Sequence, residues 1–216
     1  MRITGLIGVL TMTCKDLVFS PHADDEVLGC GGILNENSFV YYCGIDESKM
    51  DTGQVAVDER LKELKAAAKF LGIRWDYNKE SKVNLYKEQD FIPIFEKLIN
   101  ELKPERVFIP CPDYNQDHKA VYNAAWIALR PHDINFFVKK VLLYETSQHA
   151  IWNPFPLKLN YFVPIEIERK IKAYGYYKSE VRKMRSPEML RNVARIRGQA
   201  INVENAEAFE ILRWVE

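Results

Sequence analysis

Apolar residues follow two alternating patterns along the chain up to about residue 160. Short runs are continuously apolar, which is typical of strands that are buried on both faces of a sheet. These runs lie at residues 17–20, 39–45, 106–110 and 138–145. Between them, apolar residues recur every three or four positions, which predicts amphipathic helices over residues 57–71, ending before Gly72, and over residues 91–102.

The alternation of strands and helices predicts an α/β fold, with a mainly parallel sheet and helices on both faces. After about residue 160 the pattern becomes helical, and Ser186 followed by Pro187 is typical of a helix start. No Gly/Ser linker, repeat or low-complexity tract divides the chain. We therefore expect a single domain over residues 1–216 with a helical C-terminal part.

Two clusters of polar residues lie where predicted strands end. Residues 22–26, HADDE, come shortly after the first apolar run, and residues 111–118, CPDYNQDH, come directly after the third. In sheets of this kind, ligands bind beyond the carboxyl ends of the strands. Because both clusters lie at such ends, we expect them to form one site.

The residue types in the two clusters suit a catalytic metal ion. Two histidines and one carboxylate are a common ligand set for zinc, and His22, Asp25 and His118 can supply it. His22 and Asp25 are three positions apart, so a helical turn would place both side chains on one side and leave Asp24 beside the metal. There, the Asp24 carboxylate can act as a general base on the attacking water.

Several of these residues also have structural explanations that the sequence leaves open. His22 can be a hydrogen-bonded structural histidine, and the acidic residues 24–26 can stabilise the positive N-terminal end of the following helix. Asp117 can be the N-cap of the next helix, with His118 solvated beside it. The glycines of GCGG lack the spacing of a phosphate-binding loop, and we interpret them as sites of close packing between helix and strand.

Composition excludes some classes of partner. The 30 basic and 30 acidic residues balance, so no net charge draws the chain to nucleic acid or to an anionic membrane. The four cysteines stand singly, without a CxxC pair, which indicates reduced, buried thiols in a cytoplasmic protein. Lys15 and Asp16 interrupt the N-terminal apolar patch and no A-x-A site follows, so we expect neither a signal peptide nor membrane insertion.

The same residues resemble the LmbE-like, or PIG-L-type, family of zinc-dependent N-acetylglucosaminyl deacetylases. The motif SPHADDEVLGCGG, the helix RLKELKAAAKFLG and the segment VFIPCPDYNQDHKA carry the resemblance, which extends over residues 17–211. It implies a Rossmann-like α/β sheet without a nucleotide cofactor. The site residues that it implies are the metal ligands His22, Asp25 and His118, the general base Asp24, and the substrate-facing Arg60.

Two positions depart from the family pattern. Ala23 stands where the family has proline, a mild change because that side chain is no ligand. Asn115 stands where many members have a histidine; its amide can donate a hydrogen bond to an oxyanion, but it cannot protonate a leaving amine. The proton would come from Asp24, acting first as base and then as acid, or from His149, for which a surface loop position is the alternative.

Residues and resemblance together predict a hydrolase that removes an N-acetyl group from an N-acetylglucosamine-type sugar, sugar conjugate or sugar nucleotide. The metal would be zinc, although iron(II) suits the same ligands, and a homo-oligomer remains open. Trp152 can stack on a sugar ring or serve in the core, and Arg60 can instead form an ordinary pair with Glu63. The alternatives are a zinc amidase for another N-acyl or thiol-conjugate substrate, and a catalytically impaired protein that binds metal or sugar.

Overall fold

Seven strands form one mixed sheet within residues 13–48, 56–131, 133–152 and 156–216, which the computed structural model describes. The strands are β1 (Asp16–Ser20), β2 (Ser38–Tyr42), β3 (Arg74–Tyr77), β4 (Arg106–Pro110), β5 (Lys140–Tyr144), β6 (Tyr161–Pro164) and β7 (Ala206–Trp214). Their order across the sheet is β3-β2-β1-β4-β5-β7-β6. Strands β1 to β5 run parallel to one another, and β7 is antiparallel to β5 and β6. The predicted α/β fold with a mainly parallel sheet is confirmed.

Helices connect and cover the strands. They are α1 (Asp25–Cys30), α2 (Val57–Leu71), α3 (Glu88–Leu102), α4 (Gln116–Ala128), α5 (Ser147–Ile151), α6 (Ile167–Tyr174) and α7 (Pro187–Gln199), with a 3-10 turn at Lys178–Glu180. Gly72 ends α2 with a φ of 78°, the left-handed conformation that glycine adopts without strain, as predicted. The Ser186 side chain accepts a hydrogen bond from the Met189 N–H at 3.2 Å, which confirms the predicted start of α7.

The core lies on both faces of the sheet because alternate residues of each parallel strand point in opposite directions. On one face, Val18 and Phe108 pack with residues of α1, α2 and α6. On the other face, Leu17 and Phe19 pack with residues of α3 and α4. Strands buried on both faces explain why the sequence runs were continuously apolar.

The C-terminal part contains the predicted helices and also two strands that the sequence analysis did not identify. Strand β6 is partly exposed, and β7 becomes partly exposed along its second half. The strand β3, at the opposite edge, is partly exposed at every residue and was likewise not identified. Edge and half-exposed strands carry a weaker apolar signal than central ones, which is why only the central strands were predicted.

Close contact between α1 and the sheet depends on Gly29. A Cβ at this position would lie 2.2 Å from Cδ2 of Tyr144 on β5, so the glycine lets the helix approach the strand. This agrees with the interpretation of GCGG as packing glycines. All four cysteines are free and buried, as predicted.

The structure bears on membrane insertion only through its helices. Among the residues described, none of the helices combines the length and the apolar character that crossing a membrane requires. Most of the N-terminal apolar patch that was considered as a signal peptide, residues 1–12, lies outside the described residues.

Candidate metal centre

The two polar clusters meet at the carboxyl edge of the sheet. Strands β1 and β4 are parallel neighbours, so the segments that follow them leave the sheet side by side. One ligand atom from each of His22, Asp25 and His118 lies within 4.8 Å of the other two. The structure therefore brings together the three side chains that the sequence indicated as metal ligands.

Each histidine of this group is held from both sides. Nδ1 of His22 and Nε2 of His118 each lie 3.1 Å from the same oxygen, Oδ2 of Asp25. The second ring nitrogens face other carboxylates: Nε2 of His22 lies 3.0 Å from Asp117, and Nδ1 of His118 lies 2.8 Å from Asp113. Metal-binding histidines are typically oriented in this way by a carboxylate on the opposite nitrogen.

The carboxylates around the two histidines favour positive charge at this group. Burial alone would lower the pKa of His22, but its hydrogen bonds to Asp117 and Asp25 outweigh burial and raise its pKa to about 10. For His118, burial is likewise outweighed by the charge of Asp25 and the bond to Asp113, and the pKa rises to about 9. Burial raises the pKa of Asp25 less than the two histidines lower it. Two ring nitrogens and a carboxylate oxygen in such a field fit a divalent metal ion.

Asp24 lies beside this group and has separate partners. Its carboxylate accepts a hydrogen bond from Arg185 Nη1 at 2.9 Å, and its backbone N–H donates to Oε2 of Glu26 at 3.1 Å. Its φ of 144° is rare for a residue other than glycine. Burial raises the pKa of Asp24 above its usual range, and the Arg185 guanidinium opposes that rise.

Glu26, for which the sequence suggested only stabilisation of the helix start, is fully buried. Its Oε1 accepts a hydrogen bond from the hydroxyl of Tyr177 at 2.6 Å, while Oε2 accepts from Asp24. Burial raises the pKa of Glu26 to about 7, even though both hydrogen bonds act in the opposite direction.

Arg60 lines the cavity in front of the metal group and is itself buried. It makes the ordinary pair with Glu63 at 3.3 Å, and it also contacts Glu180 and, at 2.7 Å, Glu47. Arg185 joins the same network through Glu180 at 2.8 Å. Sequence analysis missed Arg185 and Glu180, because they lie about 160 positions along the chain from Asp24 and belong to no pattern that points to the site.

Asn115, not Asp117, is the N-cap of α4. Its Oδ1 accepts a hydrogen bond from the Asp117 N–H at 2.8 Å, which corrects the sequence reading of Asp117 as the cap. The side chain of Asp117 instead accepts from the Asn84 N–H at 2.7 Å and contacts His22. Asn115 lines the cavity, and the cap leaves its amide NH₂ as the group able to donate there.

His149 does not lie at the cavity. It is fully buried, and its Nε2 is 3.2 Å from Sγ of Cys111. The expectation that His149 protonates the leaving amine gains no support from this position, and the alternative of a surface loop histidine is wrong. His149 belongs to α5, and its side chain contacts Cys111, the first residue after β4.

The cavity has a volume of about 250 Å³ and is lined by residues of both clusters, Arg60, Arg182, Arg185 and Tyr114. Trp152 stands next to it: its ring centroid lies 4.9 Å from that of Tyr114, with an angle of 30° between the planes. Tyr114 is 41% exposed and Trp152 is 62% exposed. The two rings thus form an exposed aromatic pair, and Tyr114 brings it to the cavity wall.

Solved structures with a similar fold cover nearly the whole chain. N,N'-diacetylchitobiose deacetylase from Pyrococcus horikoshii is 23% identical, with a TM-score of 0.66, over 92% of this chain and 84% of its own. The 4-carboxy-2-hydroxymuconate hydratase from Pseudomonas putida is 20% identical, with a TM-score of 0.71, over 94% and 98%. The zinc-inhibited form of a teicoplanin deacetylase is 20% identical, with a TM-score of 0.71, over 92% and 98%. At these identities the likeness shows the fold alone.

The sequence itself matches a protein family. The family model for PIG-L, GlcNAc-PI de-N-acetylase, matches residues 17–129, which are more than half of the chain. No curated protein matches the chain. The matched range contains the whole candidate metal group and Arg60. The chain therefore belongs to the PIG-L, or GlcNAc-PI de-N-acetylase, family.

Proposed function

We propose that this protein is a zinc-dependent N-deacetylase that acts on an N-acetylglucosamine-type sugar joined to a further group. The observation that carries this proposal is the arrangement of His22, Asp25 and His118 around one point, with Asp24 beside them and not among them. A hydrolytic metal site needs ligands and a separate base. Membership of a de-N-acetylase family supports the reaction class.

The metal would be held by His22, Asp25 and His118. Asp117 and Asp113, which contact the second ring nitrogens of the two histidines, would keep both rings oriented. Zinc is the metal we propose, with iron(II) as the alternative for the same ligands. When bound, such an ion polarises a carbonyl group and makes water more acidic.

The remaining steps belong to side chains of the cavity. Asp24 would take a proton from the attacking water as its oxygen adds to the acetyl carbon. The NH₂ of Asn115 would donate a hydrogen bond to the oxyanion that forms. As the carbon–nitrogen bond breaks, Asp24 would return the proton to the leaving amine, so acetate and a free amino sugar result. This assignment gives Asp24 both proton transfers, since His149 is not at the cavity.

We place Arg60 on the side of the cavity that faces the polar part of the substrate. Its guanidinium is already bound by Glu47, Glu63 and Glu180. It therefore acts by fixing Glu47 and Glu180, which line the cavity with it. Carboxylates and guanidinium groups in this arrangement can exchange hydrogen bonds with sugar hydroxyls.

Acetate release tests the proposed function directly. The zinc-loaded protein is incubated with N-acetylated sugars, their glycosides and sugar nucleotides, and acetate and free amine are measured. Zinc is titrated rather than added in excess, because a teicoplanin deacetylase of similar fold exists in a zinc-inhibited form. Equal amounts of acetate and amine are expected from at least one compound. Binding of a sugar without turnover would favour the impaired binding protein, and turnover of other N-acyl compounds alone would favour the amidase.

The aromatic pair leads to a prediction about substrate binding. Replacing Trp152 by Ala should raise KM about 3- to 10-fold for a substrate with a ring as its second group, because stacking on the exposed indole is lost. The value of kcat should stay unchanged, since Trp152 does not touch the metal group. The control is Trp126→Ala: Trp126 is 46% exposed and stacks beside Tyr122 on α4. Tyr122 does not line the cavity, whereas Tyr114, the ring beside Trp152, does. Equal changes in KM for both variants would contradict the prediction.

A further inference from the structure

We propose that Glu26 is a positioning residue that holds the backbone of Asp24 in a conformation it would not adopt by itself, and that Tyr177 fixes Glu26 for this task. This inference rests on the proposed function for its kinetic test, because Asp24 is the general base there. The structural part of the inference stands on contacts alone.

The conformation of Asp24 is the first observation. Its φ of 144° and ψ of −27° lie outside the regions that residues with a side chain normally occupy. Such a conformation persists only where surrounding contacts impose it, and it is found most often at functional sites. Something next to Asp24 must therefore supply the constraint.

Glu26 supplies a contact at the atom where this constraint acts. The backbone N–H of Asp24 donates to Oε2 of Glu26 at 3.1 Å, so the peptide plane that sets φ is held by the carboxylate. The other oxygen accepts from Tyr177, which belongs to a segment 151 positions away. Both oxygens of one buried carboxylate are thus occupied by donors, and its direction is fixed from two sides.

The result is a separation of two neighbouring carboxylates. Asp25 faces the rings of His22 and His118, whereas Asp24 faces Arg185. Two adjacent acidic residues must point in different directions if one is to bind the metal and the other is to take a proton from the water. The bond from Glu26 to the Asp24 N–H is local to the start of α1, but the bond from Tyr177 is not, so a role at the helix start alone leaves Tyr177 unexplained.

The test compares two substitutions of Glu26 and two of buried tyrosines. Glu26→Met keeps the length of the side chain but removes both acceptors, and kcat should fall roughly 10- to 100-fold. Glu26→Gln keeps one acceptor oxygen and should retain most of kcat. Tyr177→Phe should lower kcat in the same direction as Glu26→Met. The control is Tyr144→Phe, which also loses a buried hydroxyl bond, to the backbone of Phe19 at 2.9 Å, and should leave kcat unchanged.

Measurements of KM, bound metal and Tm distinguish a positioning role of Glu26 and Tyr177 from a role in the stability of the fold alone. The two tyrosine variants should show similar falls in Tm, while KM and metal content stay the same in every variant. If Tyr177→Phe and Glu26→Met keep the kcat of Tyr144→Phe, the inference is overturned. If the wild-type protein releases no acetate, the proposed function fails, and crystal structures of Glu26→Met and Glu26→Gln then decide. Asp24 with a positive φ in both would overturn the inference, and its relaxation in Glu26→Met alone would support it.

Discussion

Replacing Asp24 by Asn is expected to lower kcat for deacetylation roughly 10²- to 10⁴-fold, the range that a general base typically contributes. Asn keeps an oxygen that can accept the bond from Arg185 Nη1, so the side chain should stay in place. It cannot accept a proton from water. The expected enzyme therefore binds metal and substrate as the wild type does and fails in the chemical step.

The measurement pairs steady-state kinetics with the metal content of the purified protein. Asp24→Ala should be equally inactive but less stable, because it also leaves the partly buried Arg185 without one of its carboxylate partners. Asp76→Asn, on the edge strand β3, is the control and should behave as the wild type. An Asp24→Asn enzyme with full activity would exclude Asp24 as the base, and one without metal would mean that Asp24 supports the ligands.

The central strands could be predicted because their sequence is dictated by burial on both faces. Leu17, Val18 and Phe19 of β1 point to alternate faces of the sheet, and all three are fully buried. This run therefore contains no polar residue. Strand β3, Arg74–Tyr77, lies at the edge of the sheet with half-exposed residues, and its sequence RWDY shows no such run. Strand β7 was missed because its second half is partly exposed, so AEAFEILRW has no continuous apolar run.

The site was predictable to the extent that its residues share one local segment. His22, Asp24 and Asp25 follow β1 closely, and His118 lies in the first turn of α4, which follows the parallel neighbour β4, so the order of the strands brings them together. Arg185 reaches Asp24 from a loop near the end of the chain, and only the fold shows that contact.

The cap of α4 is a different case, because a local signal was present. Asparagine is as favourable as aspartate at the N-cap, so Asn115 was as good a candidate as Asp117 from sequence alone. Asp117 was not available for capping, since its carboxylate is used by His22 and the backbone of Asn84. The contact of Asp113 with Nδ1 of His118 could also have been predicted, because an acidic residue lies five positions before the candidate ligand. The sequence analysis did not interpret that spacing.

The largest expected effect on metal binding comes from His118. His118→Ala removes one of the three proposed ligands, so zinc should no longer be retained through a chelator challenge and deacetylation should be lost. Asp113→Asn removes only the carboxylate that orients the His118 ring from Nδ1. Its zinc affinity should fall by about 10- to 100-fold, the usual effect of an outer partner.

Titration of the metal-free protein with zinc against a competing chelator gives both affinities without any assay of activity. The matched control is His149→Gln, a buried histidine outside the group, which should keep the wild-type affinity. The order of the two effects is the decisive result, because removing a ligand must lower the zinc affinity more than removing the carboxylate that orients that ligand. If Asp113→Asn weakens zinc as much as His118→Ala, or if His118→Ala still binds zinc tightly, then the ion is held by a different set of side chains.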